Sequence, residues 1–97
     1  MDSHDKAISL LELLRSQPLC TNPSYTNGGG LHEFATEHAG VKHRVCFPDD
    51  LVSVTRLEDL AVVAACVFDL LRSDEGPARV IVRDGMFKTM LTHVGMH

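Results

Sequence analysis

The sequence predicts an α+β fold, with two helices packed on one face of a small antiparallel sheet in the order α-β-β-α-β-β. Three observations predict it. Apolar residues recur at three- and four-residue spacing over 5–17 and again over 56–72. Short alternating, β-branched runs lie between and after these stretches. Gly, Pro, Asn and Asp punctuate the joins. The 97 residues suffice for a single domain, 1–97, with little core to spare.

Residues 5–17 form the first expected helix. Ala7, Ile8, Leu10, Leu11, Leu13 and Leu14 make a wide apolar stripe that two neighbours can cover. Asp5 is the expected N-cap, and Pro18 stops the helix at Gln17. Leu10-Leu11-Glu12-Leu13-Leu14 has the spacing of helices that dock into grooves. Any leucine-rich amphipathic helix produces it, so core packing is the reading.

Residues 18–30 are rich in Pro, Asn, Ser, Thr and Gly and predict a long flexible loop. Its Asn27-Gly28-Gly29-Gly30 lacks the Lys-Ser/Thr of a phosphate-binding loop and reads as a connector. Residues 31–37 and 41–47 predict a hairpin turning at His38-Ala39-Gly40, with Gly40 at positive φ. Alternation puts Leu31, Ala35, Val41, Val45 and Phe47 on one face, and Phe34 on the other. A short helix over 31–38 competes, because Leu31, Phe34 and Ala35 also fit a 3.6-residue period.

Pro48-Asp49-Asp50 predicts a turn, and 51–54 a short strand. Thr55-Arg56-Leu57-Glu58 has capping-box spacing, so the second helix is expected from Arg56 to Arg72, stopped by Asp74-Glu75-Gly76-Pro77. Residues 78–83 alternate as a strand. Asp84-Gly85 is a hairpin signal, and 86–94 the expected returning strand.

Composition narrows function. Net charge is −4, unevenly placed. Residues 1–48 carry four basic and five acidic side chains, 49–77 two and seven, and 78–97 three and one. No basic cluster suits phosphate contact, so direct nucleic-acid binding is not expected. The longest strictly apolar run is Leu60 to Phe68, where a membrane span needs about 20 residues. The first residues are acidic and polar, so no signal peptide is expected, and a cytoplasmic location is expected. Three cysteines, Cys20, Cys46 and Cys66, without a Cys-x-x-Cys pair, argue against a disulfide framework.

The second helix is apolar all round through its middle turns, so it is buried on more than one side. Val62, Val63, Cys66 and Leu70 are the expected homodimer surface, unless the first helix covers them. Asp49, Asp50, Glu58 and Asp59 head an acidic segment. They complement helix dipoles, and they also suit docking onto a basic protein groove. Small acidic proteins of mobile elements dock this way, an analogy of size and charge. The expected function is therefore a non-enzymatic, cofactor-free interaction module, a homodimeric inhibitor or regulator of a larger basic partner, such as a nucleic-acid-binding protein.

Two alternatives stand beside it. The expected hairpin register sets His32 opposite Cys46, close enough to share a zinc ion. Only two ligands converge there, His38 falls in the turn, and His43 points to the other face. His93 and His97 are further histidines that folding would have to bring near. A cysteine nucleophile at Cys46 or Cys20, paired with a histidine, is the second alternative, with no local signature around either residue.

Overall fold

The computed structural model describes residues 2–18, 20–73 and 76–95, with side chains as far as residue 92. The fold is α+β with four helices and one four-stranded mixed sheet. The elements are α1 (Ser3–Arg15), β1 (Thr21–Gly28), β2 (Leu31–His38), β3 (Val41–Pro48), α2 (Asp49–Val54), α3 (Leu57–Arg72), β4 (Ala78–Ile81) and α4 (Asp84–Gly95). Strand order is β1-β2-β3-β4. The first three strands form an antiparallel meander, and β4 lies parallel to β3. A parallel neighbour needs a crossover, and α2 and α3 supply it.

This corrects the expected order in three places. Most of the expected loop is a strand: Thr21–Gly28 pairs with β2, with one irregularity between Thr21 and Ser24. Gly29 and Gly30 form a two-residue turn with φ of 61° and 76°, the geometry that hairpins favour. Residues 51–54 belong to a helix instead of a strand. Asp49 and Asp50 lie in its first turn, and the Lys6 ammonium closes its far end, donating to the carbonyls of Val52 (2.8 Å), Ser53 (3.1 Å) and Thr55 (2.8 Å). Residues 86–94 are also helical. Asp84 begins α4 and pairs with Lys88 one turn on, while Phe87, Met90 and Leu91 face the core at helical spacing.

The 31–38 segment is a strand, and its register differs from the expected one by one residue. Ala39 and Gly40 alone make the turn, with φ of 53° and 79°, so His38 pairs with Val41 and His32 with Phe47. Relative to β3, this one-residue change moves every β2 side chain to the other face. The core face therefore carries His32, Phe34, Thr36, His43, Val45 and Phe47, all buried. Phe34 is central to it instead of opposite. Leu31, Glu33, Ala35, Arg44 and Cys46 lie on the outer face.

Helices start and stop for local reasons. Asp2, ahead of the expected Asp5, caps α1 by accepting from the Asp5 amide at 2.8 Å. Arg56 takes the N-cap place of α3 without a side-chain bond, so the capping box does not form. Thr55 is already the C-cap of α2, and Glu58 turns to Arg56 at 2.9 Å. One core joins the layers. Leu10 and Leu14 of α1, Leu60, Val63, Val67 and Phe68 of α3, Val52 of α2 and Phe87 of α4 meet Phe34, Val45 and Phe47 of the sheet.

Candidate functional site

Three groupings carry chemistry, and each grows from a register or a helix face. The first lies where β1, β2, α1 and α2 converge. Asn27 pairs with His32 and Tyr25 with Phe34, so Tyr25 and His32 share the core face. The Tyr25 hydroxyl lies 2.6 Å from His32 Nδ1, and His32 Nε2 lies 2.7 Å from Asp49 Oδ1. The Ser3 hydroxyl donates to the same Asp49 oxygen. A neutral ring with its proton on Nε2 satisfies all of these bonds: Tyr25 donates to Nδ1, and Nε2–H donates to the carboxylate. Ser3 first, and then His32, hold the Asp49 carboxyl below its usual range.

A carboxylate–histidine–hydroxyl chain is the geometry of a proton relay when it opens on a substrate. Here the His32 side chain is only 4% exposed. The described cleft, about 440 Å³, is lined by Pro48, Asp50, Leu51, Val54, Arg83 and Asp84 and by none of the relay residues. The chain of bonds instead ties four elements at one corner. Sequence reading had no local signal for it, because its members are brought together only by the strand register.

The second grouping lies on the outer face of the sheet. Arg79 Nε is 3.0 Å from Glu33 Oε1, Arg44 Nε is 3.8 Å from Glu33 Oε2, and the Cys46 thiol donates to Glu33 at 3.4 Å. Burial, and then the Glu33 carboxylate, push the Cys46 thiol up to about 11. Burial also works on Glu33, but the bonds from Arg79 and Cys46 outweigh it and hold that carboxyl low. A thiol so placed stays protonated at neutral pH, which removes the activation a nucleophile needs. Cys20 is buried as well, and burial raises its thiol despite the opposing charge of Arg72.

His32 and Cys46, the pair of the zinc alternative, therefore project from opposite faces of the sheet and cannot share an ion. The described residues contain no group of three or more His, Cys, Asp or Glu that could hold a metal. His93 and His97 lie outside the described side chains. His43 is buried on the core face, and neither ring nitrogen has a hydrogen-bond partner among the described residues.

The third grouping is α3 itself. Leu60, Val63, Ala64, Val67, Phe68 and Leu71 face inward. Val63, expected on a dimer surface, is fully buried within the chain, because the helix packs on that side against α1 and the sheet. Val62, Cys66 and Leu70 remain outward at four-residue spacing. Val62 is 39% and Leu70 58% exposed, and Cys66 is half-buried. Glu58, Asp59 and Asp69 edge this stripe.

The acidic residues do not form one surface. Asp49 is held in the corner relay, and Asp50 lines the cleft beside Val54, which is 83% exposed. Glu58 is exposed and paired with Arg56, while Asp59 is half-buried in the first turn of α3. Asp74 and Glu75 lie outside the described residues. Comparison with known protein families, with curated proteins and with solved structures finds no match.

Proposed function

We propose that this chain is a non-enzymatic interaction module that docks a basic protein partner through the outward face of α3 and so inhibits or regulates it. One observation carries the reading. The Val62–Cys66–Leu70 stripe is apolar, with Val62 and Leu70 exposed and Cys66 half-buried, on a helix whose other side is packed, and acids edge it. Glu58, Asp59 and Asp69 form that border; Arg56 pairs with Glu58 at 2.9 Å and Arg72 with Asp69 at 3.7 Å, which leaves three acids against two bases. An apolar seam with a negative border suits a helix that carries apolar anchors and Lys or Arg flanks. Self-association is the second half of the reading, and a cytoplasmic setting goes with its free thiols. No described helix is long and apolar enough to cross a membrane.

The test uses two amphipathic helical peptides of identical leucine pattern, one with lysine and one with glutamate on the polar face. Calorimetric titration should show salt-sensitive binding of the lysine peptide alone. Leu70→Asp should weaken it about tenfold or more, since about 1.4 kcal/mol corresponds to each factor of ten. Equal binding of both peptides, or indifference to Leu70→Asp, contradicts the reading.

A further inference from the structure

Arg83 stands apart from the other arginines. Arg15, Arg44, Arg56, Arg72 and Arg79 each lie beside a carboxylate, those of Glu12, Glu33, Glu58, Asp69 and again Glu33. Arg83 has no such partner among the described residues. Its neighbour in sequence, Asp84, reaches along α4 to Lys88 at 3.2 Å instead. A guanidinium is always charged, and its planar fork matches a carboxylate.

Arg83 lines the cleft of about 440 Å³, a volume within the roughly 300–1,000 Å³ of small-molecule sites. One wall is α2 and the Pro48 before it. It presents Pro48, Leu51 and Val54 as an apolar surface, with Asp50 as its charge. The other wall is the joint between β4 and α4, which carries Arg83 and Asp84. Asp50 accepts from the Leu51 amide at 3.0 Å through one oxygen and has no cation beside it among the described residues. The walls therefore hold opposite charges, Asp50 and Arg83, that do not pair with each other.

Val54 is an independent sign. At 83% it is the most exposed large apolar side chain among the described residues, ahead of Leu70 at 58%. It ends α2 and lies outside the core cluster. Valine is a mediocre helix former, so local structure does not call for it there. Its apolar surface is stabilising only when something covers it. Leu51, 6% exposed, continues that surface inward.

The lining selects the chemistry. An anion alone would meet two carboxylates, and a cation alone would meet Arg83. A molecule with one charge of each sign on an apolar body avoids both conflicts. Its carboxylate goes to Arg83, its ammonium to Asp50, and its side chains to Leu51 and Val54. The cleft is roomier than a single amino acid needs. We infer that the cleft between α2 and α4 binds a small zwitterion of dipeptide size with apolar side chains. This site is separate from the outward face of α3 and does not rest on the proposed function.

Leucyl-leucine is the probe, titrated into the whole isotope-labelled chain. The expected result is saturable amide shifts at Asp50, Leu51, Val54, Arg83 and Asp84, complete below about 10 mM. Leucyl-leucine amide lacks the carboxylate, N-acetyl-leucyl-leucine lacks the ammonium, and glycyl-glycine lacks the side chains. Each should bind at least about fivefold more weakly. In Arg83→Gln, leucyl-leucine should bind no better than its amide, a loss of discrimination that a purely structural change would not produce. No saturable shifts at the cleft, a relative that binds as well as leucyl-leucine, or discrimination that survives Arg83→Gln overturns the inference.

Discussion

The two buried histidines are a contrast in what a polar group does inside a core. His32 has both ring nitrogens bonded, whereas His43 has neither bonded among the described residues. Removing a satisfied group strands its partners, and removing an unpaired one strands nothing. His32→Leu should therefore lower stability by about 1–3 kcal/mol through the abandoned Tyr25 hydroxyl. His43→Leu should leave the urea midpoint unchanged or raise it. Asp49 has a folded value held below its ordinary one, so its contribution is present above the unfolded value and is lost as pH falls through that value toward the folded one. Asp49→Asn should flatten this part of the acid limb of a stability–pH curve. Cys46 runs the other way. Its thiol is pushed up to about 11, so its contribution is full below the ordinary thiol range and declines as pH rises toward about 11. Thiol labelling at neutral pH should reach Cys66 well before Cys46 or Cys20, because those two are buried.

At the scale of elements, α4 is where local chemistry misleads most. Asp84-Gly85 is a strong hairpin signal, yet Asp84 begins a helix. The deciding residues are Phe87, Met90 and Leu91, which share a helix face and would not share a strand face. Phe87→Ala should cost about 3–5 kcal/mol. Met86→Ala should cost less than about 1 kcal/mol, because Met86 is exposed and lies outside the core cluster. Chemical denaturation of both variants measures the difference, and comparable costs would count against the helix. The strand β1 misled for a different reason. Thr21-Asn-Pro-Ser-Tyr-Thr-Asn-Gly28 has little intrinsic strand preference. Its edge position tolerates Pro23, and its contribution to the core is Tyr25. The Gly29-Gly30 turn was the available clue. By contrast α1, β3 and α3 were legible from their apolar patterns, whereas 31–38 fitted a helical as well as a strand period and its register against β3 differed by one residue.

Over the whole molecule, sequence periodicity conveys the α+β class but not the parallel placement of β4, which depends on α2 and α3 acting together as a crossover. The corner relay and the Glu33 cluster were hidden for the same physical reason. Their members are far apart in sequence, as Glu33 and Arg79 are, and a one-residue change of register decides which of them meet. The outward α3 stripe was partly visible, since Val62, Cys66 and Leu70 lie where an all-round apolar helix leaves a face uncovered, while Val63 falls on the packed side.

The central claim is that function resides on that face of α3, met by a basic helix. Residue-resolved NMR titration of the labelled chain with the lysine–leucine peptide tests it most directly. Amide shifts concentrated at Glu58, Asp59, Val62, Cys66, Asp69 and Leu70, reduced by salt, are the predicted result. Shifts concentrated at the cleft beside Asp50 and Val54, or over the outer face of the sheet around Arg44 and Arg79, would contradict it.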